Sequence, residues 1–361
     1  MTDSAHMFHA LALAERGRGR TSPNPLVGAV LVDRDGVIVG RGAHEYVGGP
    51  HAEINAIRDA AGQARGATLY CTLEPCSHVG RTGPCAESVV EAGIASAVIA
   101  VKDPNPLVNG AGLAYLRARG LGVTLGVLRD QAEDLNRPFF SVIRRGRPFV
   151  TLKVAVSRDG RIAAAPGVRT PLTGAAANRL IHRDRAEVDA IAVGSGTVLA
   201  DDPLLTARGA FRHRPLTRVV FDARLRTPPS AKLLSTVGAG PVIIIATSSS
   251  VQSEGVRAAA LQAAGAELLA VPEGLSLREA LELLPARGVS SITVEGGAAL
   301  HRAFWDAALV DRVQIFRTPH VLGPQGLEWP LAFIFPAGLA GATTLVLGDD
   351  LLIEGYGHRA D

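Results

Sequence analysis

Apolar positions along this 361-residue chain fall in two successive series of short runs, each run bounded by glycine, proline or charge. In the first series, residues 26–32 and 37–41 are β-rich runs joined at Asp35-Gly36, a hairpin signal. Further strands are predicted over 68–73, 97–101 and 123–127, and helices over 8–16, 51–61, 84–92 and 112–119. Strands alternating with helices predict an α/β fold, one sheet covered on both faces.

The pattern changes over residues 136–148, a basic, helix-like stretch ending in Arg144-Arg145-Gly146-Arg147-Pro148. It then restarts, which places a domain junction near 146 and predicts domains over 1–145 and 146–361. Second-half strands are predicted over 149–156, 190–193, 218–221, 242–246, 292–295 and 313–316. Helices are predicted over 175–185, 256–264, 277–284 and 299–308, giving a second α/β domain with its own core.

Composition narrows the function. A net charge of +3 gives no electrostatic argument for nucleic acid or an anionic membrane, and leaves room for a local basic pocket. No apolar run reaches the roughly 18 residues of a membrane span. The start carries Asp3 and places its basic residues after the apolar stretch, the wrong order for a secretory signal, so a cytoplasmic location is expected. Three cysteines, Cys71, Cys76 and Cys85, crowd into 15 residues. That spacing points to a metal site more than to a disulfide framework.

The strongest motif is His51-Ala52-Glu53, followed by Pro75-Cys76 and by Cys85. One imidazole and two thiolates suit Zn²⁺, one ion per chain, and leave a coordination position for water. Zinc lowers the pKa of such a water to about 7, so that it can attack an electron-poor ring carbon. Glu53, two residues from His51, is placed to take the water's proton and return it to a leaving amine. This is the zinc-deaminase arrangement with a longer gap between the cysteines. A structural zinc site is the alternative, and Cys71, inside a predicted strand, reads as core. Asn24, in the loop before the first strand, offers an amide to a heterocycle or simply turns the chain. The insert between the cysteines offers His78, Arg81 and Thr82 to a phosphate or ribose, or stands as a solvated loop.

The segments PNPLVGAV, HAEINAI, TLEPCSHVGRTGPC and VKDPNP resemble the deaminase half of the riboflavin-biosynthesis deaminase–reductases, RibD or RibG. In the second half LKVAVSRDGRIA, HRDRAEVDAIAVGSGTVLADDPLLTAR and VEGGAAL are similar to the reductase half of the same family. The resemblance implies a cytidine-deaminase-like α/β/α domain followed by a dihydrofolate-reductase-like α/β domain. It implies deamination of 2,5-diamino-6-(5-phosphoribosylamino)pyrimidin-4-one, then NADPH-dependent reduction of the product's ribosyl group to ribityl. By matching position, His51, Cys76 and Cys85 hold the zinc, Glu53 shuttles protons, and Asn24, His44, His78 and Arg81 lie near the substrate. Ala155, Thr197, Asp201 and the stretch Gly297, Ala298, Ala299, Leu300, His301, Arg302 and Ala303 meet NADPH; Arg185, Leu205, Arg208 and Glu295 hold the second substrate. A small phosphorylated pyrimidine is then the partner, with no nucleic acid and no membrane, and a homo-oligomer is expected.

The chain departs from the family at three positions. Arg169 stands where the family has a substrate-contacting Ser, Pro171 where it has a cofactor-contacting Trp, and Ala223 where it has another Ser. These changes leave open a second domain that is a non-reducing binding or assembly module. A nucleic-acid-editing deaminase is a further alternative, against which stand the long insert and the absence of a basic excess.

Overall fold

The structure, a computed structural model, describes residues 2–77, 83–332, 334–335 and 337–357. The chain divides into two units, residues 1–146 and 147–361.

The first unit opens with α1 (Asp3–Ala14), whose first turn is capped by the Thr2 hydroxyl accepting from Ala5 N–H. This cap starts the helix ahead of the apolar period that begins at residue 8. The strands β1 (Gly28–Val32), β2 (Ile38–Ala43), β3 (Thr68–Leu73), β4 (Ser96–Val101) and β5 (Gly122–Leu125) form one sheet in the order β2-β1-β3-β4-β5. β1 is antiparallel to β2 and β3, whereas β3, β4 and β5 run parallel. Between and after them lie α2 (Ala52–Asp59), α3 (Cys85–Glu91), α4 (Ala111–Ala118), α5 (Arg129–Leu135) and α6 (Arg137–Arg145). Every residue of β1 is buried, as expected when both faces of a sheet are covered. A Cβ at Gly42 would stand 2.0 Å from the Ala52 carbonyl oxygen. Glycine there lets α2 lie directly on β2, which brings the start of that helix against the sheet.

The second unit's strands are β6 (Phe149–Val156), β7 (Arg161–Ala163), β8 (Ala190–Gly194), β9 (Thr217–Phe221), β10 (Val242–Thr247) and β11 (Ala266–Val271). They continue with β12 (Ser291–Gly296), β13 (Arg312–Arg317), β14 (Leu327–Glu328), β15 (Ala340–Leu347) and β16 (Asp350–Tyr356). Among the described residues, nine of these make one sheet, β11-β10-β9-β8-β12-β6-β13-β16-β15, parallel except at β16 and β15. Its helices are α7 (Ala175–Glu187), α8 (Ser195–Asp201), α9 (Ser248–Ser253), α10 (Gly255–Ala263), α11 (Leu277–Glu282) and α12 (Ala298–Asp306).

Strand alternation splits this unit's core in two. Ala190 and Ala192 of β8 join Val150, Leu152 and Ile292 on one face, while Ile191 and Val193 join Val220 and Ile244 on the other. Arg147, read from sequence as part of a basic junction, is buried and forms a bidentate pair with Asp311 at 2.7 and 2.9 Å. Its chain neighbours Arg144 and Arg145 end α6. No helix among the described residues is long and apolar enough to cross a membrane.

Candidate active sites

α2 begins at His51, whose extended backbone caps the helix, and α3 begins at Cys85 just after Pro84. Cys76 lies in the loop that leaves the carboxyl end of β3. These three elements bring the ligand atoms of His51, Cys76 and Cys85 within 4.8 Å of one another. His51 Nδ1 is 3.1 Å from Cys85 Sγ and 3.6 Å from Cys76 Sγ, and the Cys85 N–H donates to Cys76 Sγ at 3.4 Å. Tetrahedral zinc, with bonds of about 2.0–2.1 Å to nitrogen and 2.3 Å to sulfur, spaces such atoms roughly 3.6 Å apart. The donor set and its spacing fit that ion, with Nδ1 as the imidazole ligand.

The protons of the cluster are shared. A hydrogen bond from the Cys85 thiol, reinforced by His51, holds Cys76 down to about 4, and the same bond with burial pushes Cys85 up. Hydrogen bonding to Cys76 raises His51 against the opposing effect of burial. Cys71 is fully buried in the core, and burial pushes its thiol well up. Glu53, in the first turn of α2, is only 3% exposed, and desolvation raises its carboxyl to about 7 against the pull of His51.

Above these groups opens a cavity of about 460 Å³, walled by Asn24, His44, Glu53, Cys76, Asp103 and Phe139 among others. His44 Nδ1 lies 3.1 Å from the Pro50 carbonyl and donates to it, so Nε2 accepts from the Asn24 amide at 3.2 Å. Burial lowers the His44 pKa, which keeps that neutral tautomer. Two residues on, the side-chain amide of Asn136 pairs with both backbone groups of Leu26 at 2.7 and 2.9 Å and anchors the segment that carries Asn24. His78 and Arg81 lie outside the described residues.

Sequence reasoning missed Glu74. Its buried carboxylate accepts from the N–H groups of Asp103, Gly110, Gly112 and Leu113 at 2.9–3.2 Å. It therefore clamps the loop that supplies Asp103 and Asn105 to the cavity wall, next door to the ligand Cys76. A Cβ at Gly112 would meet the Pro75 carbonyl at 2.0 Å, so this packing also needs glycine. The signal was a carboxylate at the end of a buried strand, directly before Pro-Cys, where a buried charge needs donors.

In the second unit the candidate residues gather at the carboxyl ends of parallel strands, the edge where open α/β sheets bind ligands. Glu295 sits near the end of β12, Thr197 and Asp201 on α8 after β8, Ala155 near the end of β6, and residues 297–303 at the start of α12. Arg185 of α7 grips Glu295 through Nε at 2.8 Å and Nη2 at 2.5 Å, and donates to the Thr206 carbonyl at 3.1 Å. The opposed guanidinium outweighs burial and holds Glu295 at about 2. Leu205 is buried in the core with a positive φ of 52°. Within 297–303, the side chains diverge: His301 points into the interior, where burial lowers it to about 4, and Arg302 is exposed and pairs with Asp306. Asp159, without an assigned role in the sequence, accepts from Ser157 Oγ and from the N–H groups of Leu322 and Gly323, and so ties a distant loop to its own turn.

Two family profiles match this chain: the RibD C-terminal domain over residues 148–328, and the cytidine and deoxycytidylate deaminase zinc-binding region over residues 1–101. The riboflavin biosynthesis protein RibD of Aquifex aeolicus is 40% identical over 326 residues, 90% of this chain and 89% of that protein. The chain belongs to the RibD family. RibD of Escherichia coli is 39% identical over 338 residues, covering 90% of this chain and 89% of its own. The solved structure of Acinetobacter baumannii RibD superposes with a TM-score of 0.86 at 35% identity over 99% of both chains. As a RibD-family protein, the chain is a bifunctional enzyme of riboflavin biosynthesis, a zinc-dependent deaminase joined to an NADPH-dependent reductase.

Proposed function

We propose that residues 1–146 deaminate a diaminopyrimidine bearing phosphoribosylamine, and that residues 147–361 reduce the product's ribosyl group. A relative from Thermotoga maritima, 32% identical with a TM-score of 0.84, is described as a diaminohydroxyphosphoribosylaminopyrimidine deaminase/5-amino-6-(5-phosphoribosylamino)uracil reductase. The observation that carries the reading is the buried carboxylate of Glu53 beside a His-Cys-Cys cluster at one wall of a ring-sized cavity.

His51, Cys76 and Cys85 would hold the zinc. When bound, the ion supplies a Lewis acid that makes water nucleophilic near neutral pH. Glu53 then has one task, to accept a proton from the attacking water and pass it to the departing amine. Its raised pKa of about 7 suits both directions of that transfer. Asn24 and His44, hydrogen-bonded to each other, present one polar edge to the ring. His78 and Arg81 are proposed to reach the ribosyl phosphate.

In the second unit, NADPH supplies the hydride when bound, against Ala155, Thr197, Asp201 and the backbone of 297–303. Glu295, held by Arg185, and Arg208 orient the sugar and its phosphate. The substrate is small, and nothing in the reading calls for nucleic acid or membrane; a cytoplasmic homo-oligomer is the state in which we place it. The test is to incubate purified protein with the diaminopyrimidine phosphate, with and without NADPH. Ammonia should appear in both, and NADPH absorbance should fall only after ammonia does. Absence of ammonia overturns the deaminase reading, and an unchanged NADPH signal with the deaminated compound overturns the reductase reading.

A further inference from the structure

The second unit holds a cavity of about 480 Å³ whose wall includes Arg169, Arg208, His182, Asp201, Asn178 and Pro171. Of the arginines near the substrate residues, Arg185 is already committed: Glu295 takes two of its N–H groups and the Thr206 carbonyl a third. Among the described residues the polar partner of the Arg208 side chain is His182, at 3.5 Å, and the Arg208 backbone N–H donates to His182 Nδ1 at 3.2 Å. That donation requires His182 to be neutral at Nδ1, in keeping with its pKa being lowered by burial and by the two flanking guanidinium groups. The charge of Arg169 acts on Asp201 across the cavity. Arg169 and Arg208 thus line one cavity together with the Asp201 carboxylate, and the Arg169 fork has no hydrogen-bonded partner among the described residues.

We propose that Arg169 is a phosphate-binding, specificity-determining residue of this chain, which with Arg208 clamps a phosphate monoester in the second-unit cavity. The chemistry follows from the donors. A guanidinium matches a phosphate bidentately, whereas a serine hydroxyl in its place would offer a single donor. Arg169 sits at the mouth, is exposed, and can meet a dianion without the cost of burying its own charge. The Asp201 carboxylate opposes the anion, so two cations are needed where one would be cancelled. The phosphate belongs either to the substrate's ribose or to the 2′ position of NADPH, and the two sources are separable by experiment. The inference rests on the reductase reading above.

Full-length wild type, Arg169→Ser, Arg169→Lys and Arg208→Ala are supplied with the deaminated phosphoribosylamino compound and either NADPH or NADH. Inorganic phosphate serves as a competing probe. Loss of a charge-assisted, two-point contact should raise the relevant KM by about tenfold in Arg169→Ser, with kcat nearly kept. A rise confined to the sugar-phosphate substrate assigns the clamp to that substrate; a rise for NADPH with none for NADH assigns it to the cofactor. Inhibition by inorganic phosphate should weaken in parallel, and Arg169→Lys, which keeps charge without the fork, should fall between. If wild type turns over while Arg169→Ser shows unchanged KM values and unchanged phosphate inhibition, the proposal is wrong. If wild type oxidises no NADPH at all, the reductase reading has failed instead.

Discussion

Glu53 in the first unit and Glu295 in the second are both removed from solvent, and they are driven in opposite directions. Burial alone would raise each carboxyl. Among the described residues no guanidinium acts on Glu53, which rises to about 7, while the Arg185 fork at 2.5 and 2.8 Å holds Glu295 at about 2. The first is suited to exchanging protons near neutrality, and the second to staying charged. The comparison teaches that depth of burial does not set a carboxylate's chemistry; the partner does.

The largest expected effect breaks the first site outright. Cys85→Ala should lose zinc and all deamination, whereas Cys71→Ala, a change in the core, should keep about one zinc per chain. Elemental analysis of both variants decides this, and full zinc in Cys85→Ala would remove that ligand from the set. Next comes Glu53→Gln, which should keep zinc and slow ammonia release by roughly 10²–10⁴-fold, the usual scale of general acid–base help. Turnover close to wild type would move proton transfer to another group.

Glu295 gives a smaller and different effect. Arg185→Met leaves a buried carboxylate without its partner and should cost roughly 3 kcal/mol, seen as a lower thermal midpoint. Removing both charges, Arg185→Met with Glu295→Gln, should recover part of that loss. Equal destabilisation in the double variant would show that the pair's charges are not what couples the residues. The pH dependence has a fixed sign. The Glu295 pKa is depressed from an ordinary value of about 4.3 to about 2, so the unfolded chain binds the proton first. Its contribution is present above about pH 4.3 and drains away as acid approaches pH 2. Denaturant titrations should show a steeper acid loss in wild type than in the double variant; matching slopes would contradict the depressed value.

The same contrast explains what the sequence could show. The first site's chemistry lies within residues 51–85, in motifs whose spacing is set by one strand and the starts of two helices, so its ligands could be named beforehand. Arg185 and Glu295 stand 110 positions apart and meet only because α7 and β12 belong to one sheet assembly. No local pattern carries that. Strands buried on both faces, such as β1 and β10, were legible as apolar runs. β15 was not: six of its residues in a row are exposed, so no alternation marks it. α8 hid behind Gly194-Ser-Gly196, which reads as a loop, although Gly194 serves as the cap of a short helix. Glu74 escaped because its four donors come from a loop 29 to 39 residues further on.

The smallest effect concerns the cavity's other departure from the family. Pro171 lines the same 480 Å³ space as Arg169 and is exposed, where the family resemblance puts a cofactor-contacting tryptophan. An aromatic contact adds about 0.5–1.5 kcal/mol beyond its buried area, which corresponds to roughly a two- to tenfold change in affinity. Pro171→Trp should therefore lower the NADPH KM by that factor. Because the ring acts through its face and Arg169 through its charge, the gain should be alike for NADPH and NADH and should survive added salt. The Arg169→Ser effect should shrink as ionic strength rises, since an exposed guanidinium is screened. Measuring both variants and their combination at low and high salt separates packing from charge. Additive effects would mean that the two residues act independently, while a Pro171→Trp gain that disappears with Arg169→Ser would mean that the arginine seats the cofactor against the ring.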